Sequence, residues 1–265
     1  MSELGIDVYE GDGNIDWSAL KSAGYTFAFV KATEGSTEQD GSFAAHWHDM
    51  KQHGIVRRAY HFFHYGTSPA EQQARNFLDM LRRLESGDLP PVLDIEDASR
   101  HGADGNEMKA SEQVWLDIVE QELHKQTGKV IKPIIYTAPY FWKDLGDPDL
   151  SDYPVWIAHY DTDTPIVPPS WGGTWLCHQY RGDISVSGVE NKADLNRWNS
   201  IQLGNTGKLV EDIQTRMSWI GHTPGPVDGS FGQKTKLSVM AFQKSKGLPQ
   251  DGIVNLKTYL AMIWA

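Results

Sequence analysis

Four carboxylates stand where strand ends would present them for chemistry. In Val92-Leu93-Asp94-Ile95-Glu96-Asp97, Asp94 and Glu96 are two residues apart. On a strand, residues i and i+2 share a face. In a parallel barrel that face is the interior, where an ionisable group is costly unless it is compensated or used. Asp7, in Gly5-Ile6-Asp7-Val8-Tyr9, ends the first strand candidate, and Asp194, in Ala193-Asp194-Leu195-Asn196, lies on the last. First and last strands are neighbours in a closed barrel, so the four acids are expected at one mouth. Glycosidic bond cleavage calls for a pair of carboxyl groups, one kept protonated and one kept ionised. Two unit charges about 6 Å apart at an effective dielectric near 20 repel by roughly 3 kcal/mol, or about 2 pKa units. Crowding alone can therefore hold a proton near neutral pH. The plainer alternative makes each acid a cap or turn residue, and Asp97 is read that way.

Aromatic residues support a sugar site. Tyr60, Phe62, Tyr136, Trp156, Tyr160 and Tyr180 all fall near strand ends. Flat rings suit sugar faces, and their polar tips can bond hydroxyls. Taken singly, each is more often core. Other chemistries lack their signatures. His46 with His48, or His61 with His64, has short spacing, but no His-Glu-x-x-His helix or Cys/His cluster accompanies them. No Gly-rich phosphate loop and no Gly-x-Ser-x-Gly elbow occurs. No metal and no cofactor is expected.

Elements that could position these residues alternate along the first 200 positions. Eight strand candidates cover 5–9, 26–32, 57–64, 91–96, 131–137, 155–160, 174–180 and 193–196. Several are continuous apolar runs, as parallel strands covered on both faces require. Helical stretches fall at 16–23, 43–53, 69–85 and 111–126. Ser68 is read as the cap of the third, with Pro69 its first residue, and Ser111 as the cap of the fourth. The polar segment 99–109 is expected to overhang the cleft. This alternation predicts an α/β fold, an eight-stranded TIM-like barrel with regular helices only in its first part.

Near 200–207 the texture changes to a connector, followed by helical patterns at 208–219, 232–246 and 255–263. Asp228-Gly229-Ser230-Phe231-Gly232 with Thr235 is echoed 23 residues later by Asp251-Gly252-Ile253-Val254-Asn255 with Thr258. Each reads as an Asp-Gly turn entering a helix. Residues 1–200 carry 17 Lys/Arg and 31 Asp/Glu (net −14), whereas 201–265 carry seven and four (net +3). We read this asymmetry as two domains, 1–200 and 206–265. The acidic part is a poor nucleic-acid binder, and no run approaches a membrane span. The single Cys177 permits no internal disulfide, which fits a reducing compartment. Met1-Ser2-Glu3-Leu4-Gly5 does not read as a secretory signal. The expectation is a monomer.

With those motifs in view, residues 1–200 resemble glycoside hydrolase family 25, the lysozymes of the Chalaropsis type. The resemblance runs through Gly5-Ile6-Asp7-Val8, Phe29-Val30-Lys31-Ala32-Thr33-Glu34-Gly35, Ala59-Tyr60-His61-Phe62-Phe63 and Leu93-Asp94-Ile95-Glu96. It continues with Ile135-Tyr136-Thr137, Trp156-Ile157-Ala158-His159-Tyr160, Gln179-Tyr180 and Ala193-Asp194-Leu195-Asn196. It implies a (β/α)5(β)3 barrel and cleavage of the β-1,4 bond between N-acetylmuramic acid and N-acetylglucosamine in bacterial peptidoglycan. It implies Glu96 as general acid and Asp94 as the group that steadies the substrate's acetamido group. Asp7 and Asp194 would tune charge and bind substrate. Tyr60, Phe62, Tyr136, Trp156, Tyr160, Gln179 and Tyr180 would line the cleft. Residues 206–265 resemble the type 1 peptidoglycan-binding domain, a three-helix fold, with Asn255 where Gly is usual. Asn tolerates positive φ, so the turn is expected to survive. With no secretory signal read in its first residues, the setting expected is a phage endolysin, held in the host bacterial cytoplasm until released to the wall, its small module acting as a tether. A wall-binding protein without catalysis and a chitin-cleaving barrel are the alternatives.

Overall fold

The apolar runs become strands because each is sealed on both faces. In the computed structural model, which describes residues 3–97 and 104–265, these are β1 (Leu4–Val8), β2 (Tyr25–Glu34), β4 (Val56–Phe62), β5 (Val92–Asp94), β6 (Ile134–Thr137), β7 (Val155–Ala158), β8 (Cys177–Ile184) and β9 (Ala193–Trp198). A two-residue strand, β3 (Glu38–Gln39), pairs antiparallel with β2. The first seven of those eight run parallel in sequence order. Strand β9 lies antiparallel between β8 and β1 and closes the barrel.

Five helices follow the early strands: α1 (Trp17–Ser22), α2 (Phe43–Gln52), α3 (Ala70–Leu81), α4 (Gly105–Thr127) and α5 (Pro139–Asp144). The later strands are joined without α-helix, so the (β/α)5(β)3 order holds. Two helix starts differ from expectation. Pro69 itself takes the cap position of α3. Helix α4 begins earlier than Ser111, because Asp104 accepts from the amides of Asn106 and Glu107 while Glu107 reaches back to Asp104. That reciprocal box satisfies donors that would otherwise be orphaned. Of the segment 99–109, residues 99–103 lie outside the described residues, and 104–109 form this cap and the start of α4.

Strand alternation sorts the side chains into two cores. Leu93, Ile95, Ile135 and Ile157 face outward and pack with the helices. Phe27, Phe29, Val92, Ile134, Tyr136, Trp156, Cys177 and Trp198 fill the interior. Gly5 serves this packing, since a Cβ there would overlap the Phe27 ring.

The interior core does not stop at the barrel. It runs on into Ile213, Met217, Val239, Phe242, Tyr259 and Met262, from α6 (Lys208–Trp219), α7 (Gln233–Ser245) and α8 (Leu256–Ile263). The connector is held on both sides: Ile201 bridges to Val254, and Thr206 to Ser230. At Gly207 (φ 122°) a Cβ would collide with Thr174 and Gly172, so only glycine permits the close approach. The contacts to the barrel all fall at the end where the parallel strands begin. Glu3 accepts from the Leu256 amide at 3.2 Å, Arg216 donates to the Val130 carbonyl at 3.1 Å, and the Trp264 indole donates to the Asp88 carbonyl at 2.9 Å. A loosely tethered module is therefore the wrong picture. The helices cap the barrel floor, opposite the strand ends that carry the acids.

The sequence echo has a physical basis. Gln214 donates to Asp228, the Ser230 carbonyl and Thr235, and accepts from the Gly229 amide. Gln243 donates to Asp251, the Ile253 carbonyl and Thr258, and accepts from the Gly252 amide. Each turn is thus built around one buried glutamine. The expectation for Asn255 is corrected. Its φ is −83°, and its side chain caps α8 by accepting from the Thr258 amide. No positive φ is needed there, and the matching Gly232 has φ −86°.

Removing 206–265 should destabilise the barrel rather than merely untether it. Exposing Phe27, Trp198 and their neighbours forfeits roughly 1.5–3 kcal/mol per large side chain, so the melting temperature should fall by about 10 °C or more. Calorimetry of a chain ending before 206 checks this. An unchanged melting temperature would show an independent barrel.

Candidate active site

The C-terminal ends of the parallel strands surround a cleft of about 860 Å³, measured to its open mouth. Asp7, Asp94, Glu96 and Asp194 all line it, with Tyr60, Phe62, Tyr136, Trp156, Tyr160 and Gln179. Register explains the meeting: Asp7 pairs directly with Asp194 across the antiparallel closure, and Asp94 pairs with Tyr136 across β5 and β6.

Gln179 organises one side. It is 2% exposed. Its amide nitrogen lies 3.0 Å from both oxygens of Asp7 and 3.1 Å from Asp194. Its carbonyl accepts from Tyr136 at 2.8 Å and Tyr160 at 3.0 Å. One side chain thus holds two acids and two phenols, and its polar atoms are already committed within the floor. Asn196 adds a donor to Asp7 at 2.6 Å and accepts the Trp156 indole N–H at 2.8 Å. Trp156 stacks on Phe29 with ring centroids 3.7 Å apart. It forms floor more than wall.

Electrostatics follow from burial and crowding. Burial first, and Asp194 second, push the Asp7 carboxyl up to about 8 despite the amide donors. Burial and the neighbouring Glu96 hold Asp94 well above the usual carboxylate range. Its Oδ1 is sealed and finds no hydrogen-bond partner among the described residues, which further disfavours the anion. Glu96 stands at the exposed rim. Desolvation of its carboxyl and the charge of Asp194 raise it, against a hydrogen bond with Tyr136. Asp194 is also raised by burial, although the Asp183 amide donates to it at 2.8 Å. A cleft that stabilises protonated carboxyls beside ionised ones suits acid-assisted cleavage of an acetal.

Two expected placements fail. Tyr180 does not reach the cleft. It follows the inward-facing Gln179 by one residue, so the strand turns it to the other face, where its ring lies under Arg197 at 4.2 Å. Asp97 is not a simple cap; its carboxylate bonds His64 Nδ1 at 2.7 Å. Glu34 takes the other ring nitrogen at 2.7 Å. Burial lowers His64, but those two carboxylates outweigh it and raise its pKa. Residues not singled out from sequence also line the cleft: Tyr9, Asp12, Lys31, Asp183 and Lys192. Lys31 pairs with Glu34, sits 5.2 Å from the Phe62 ring centre, and favours the ionised forms of Asp94 and Glu96. Its alternation with Phe27 and Phe29 was the signal that could have found it. No group of three or more His, Cys, Asp or Glu suited to a metal occurs among the described residues.

Residues 6–189 match the family model described as Glycosyl hydrolases family 25, and residues 206–262 match that of a Putative peptidoglycan binding domain. The chain is 33% identical over 206 residues to Lysozyme M1 of Streptomyces globisporus, covering 74% of this chain and 67% of that protein. It is 34% identical over 225 residues to the uncharacterized protein YegX of Escherichia coli K12, covering 83% and 75%. Among solved structures, the bacterial lysozyme from Streptomyces coelicolor superposes with a TM-score of 0.65 at 31% identity, over 75% of this chain and 93% of that one.

The raised Asp7 makes stability depend on pH with a definite sign. Unfolded, its carboxyl ionises near 3.8; folded, at about 8. Below the lower value both states are protonated. Between the two, the folded state keeps a proton that the unfolded state releases, so rising pH favours unfolding until the loss is complete above about 8. Asp7→Asn should remove this contribution. Its melting temperature relative to wild type should rise steadily from pH 4 to pH 8, and parallel curves would contradict the raised Asp7.

Proposed function

The chain belongs to glycosyl hydrolase family 25 and is a glycoside hydrolase of the lysozyme type; from that premise we propose that it cleaves the β-1,4 bond between N-acetylmuramic acid and N-acetylglucosamine with Glu96 as general acid. The observation that carries this reading is the meeting of Asp7, Asp94, Glu96 and Asp194 in one cleft. Glu96 is the acid at the open rim, and its raised pKa suits a group that must still hold its proton when substrate arrives. It donates that proton to the leaving glycosidic oxygen. Asp94, one layer deeper, takes the role of holding the substrate's acetamido group as that group attacks the anomeric carbon. Asp7 and Asp194, clamped by Gln179, set the charge against which the other two titrate. Tyr60, Phe62, Tyr136 and Tyr160 offer rings and hydroxyls to the sugars.

We assign 1–200 to catalysis and 206–265 to wall contact, in a monomer. The setting proposed is a phage endolysin, stored in the host cytoplasm until it reaches the wall. Its one cysteine, Cys177, is free and buried, so folding in a reducing compartment demands no disulfide.

Digestion of purified peptidoglycan, read by mass spectrometry, tests the reading. Wild type should release fragments with N-acetylmuramic acid at the reducing end. Glu96→Gln should slow release by about 10²- to 10⁴-fold, the usual worth of a positioned general acid. Binding of sacculi by both proteins without glycan cleavage by either would favour a wall-binding protein instead.

A further inference from the structure

The lower half of the barrel holds a cation that no described residue neutralises. Arg58 lies on β4, two residues before Tyr60, so its side chain enters the interior one layer beneath the acidic cleft. It is 0% exposed. Its Nε, Nη1 and Nη2 have no hydrogen-bond partner among the described residues. The guanidinium lies 4.8 Å from the Phe29 ring centre and 5.8 Å from that of Trp198. Cation–π contact recovers only a fraction of what a buried ion loses on leaving water. Burial lowers Arg58 to about 10, so it is still charged at neutral pH. The groups that act on it are Cys177 and Tyr259, both pushed up by burial and therefore neutral; no carboxylate of the cleft is among them.

Two further donors share this place. Trp198 Nε1 and Tyr259 Oη are buried and also lack partners among the described residues. Their rings are 5.4 Å apart. Arginine and the indole N–H can only donate, and the phenol O–H is free to. Water could accept from these groups, but it would leave the positive charge uncompensated. A small anion answers both demands.

We propose that the floor of the barrel, where β4, β9 and α8 meet, binds a small monovalent anion of chloride size between Arg58, Trp198 and Tyr259. Arg58 and Trp198 belong to the barrel and Tyr259 to the capping helices, so the anion spans the joint and fastens the cap to the floor.

Crystals of the full chain grown in bromide test this by anomalous scattering. A bromide peak within hydrogen-bonding distance of the Arg58, Trp198 and Tyr259 donors is expected. In solution, bromide or chloride titrated against gluconate at constant ionic strength should raise the melting temperature. The expected rise is about 3 °C or more per tenfold increase above the dissociation constant. Arg58→Met should abolish this response and Tyr259→Phe should weaken it. If Arg58→Met does not fold, Tyr259→Phe and the anomalous map decide. Ordinary water at the position, bromide confined to exposed sites as an adventitious ion only, or an equal thermal response in wild type and Tyr259→Phe would overturn the proposal.

Discussion

Like charges crowded into a water-poor mouth cannot all ionise, and the upper half of this barrel is arranged around that constraint. Asp7, Asp94, Glu96 and Asp194 share one cleft, and Lys31 is the cation that acts on the central pair. The Gln179 amide spans Asp7 and Asp194, giving each a donor while keeping both in place. Its carbonyl in turn fixes Tyr136 and Tyr160. The stacked Phe29 and Trp156 rings form an apolar floor below. That floor raises the cost of every ionised group above it, and protonation of some carboxyls relieves the cost. The property that strains the fold is the one acid catalysis requires.

The barrel also separates its charges by depth. Acids occupy the layer at the strand ends, and Arg58 lies beneath Phe29 in a layer that the helical region seals. A parallel barrel of short strands has two open ends. Here one is left to solvent as the cleft, and the other is closed by α6, α7 and α8. The two buried glutamines give those helices rigid turns, so the cap presents one fixed apolar face to the floor. The helical region 206–265 is therefore part of the barrel's own core. It sits at the end of the barrel opposite the cleft.

Much of this was legible in the sequence, for definite reasons. Apolar runs ending in acids marked the strands, because only strands sealed on both faces combine such runs with an inward carboxylate. Spacing in Asp94-Ile95-Glu96, and the first-to-last closure that joins Asp7 to Asp194, brought the acids together. What escaped depended on direction or distance. Tyr180 looked equivalent to Gln179, but one residue along a strand reverses the face. Ser111 looked like a cap, while Asp104 made the box with Glu107. Gln214 and Gln243 bond residues 8 to 21 positions further along the chain, beyond the reach of helical or strand periodicity. Arg58 shares a dipeptide with Arg57, yet the outward-facing Arg57 pairs with Asp88 at 2.6 Å and the inward-facing Arg58 with no described residue. Charge pattern alone does not separate those two fates.

Crowding of this kind leaves the four acids of the cleft with fewer than four negative charges at neutral pH. Carbon-detected NMR titration of protein labelled at the Asp and Glu carboxyls measures this directly. At least one cleft carboxyl should stay protonated above pH 6, with Asp7 titrating at about 8. If Asp7, Asp94, Glu96 and Asp194 all titrate below pH 5, crowding does not control the site.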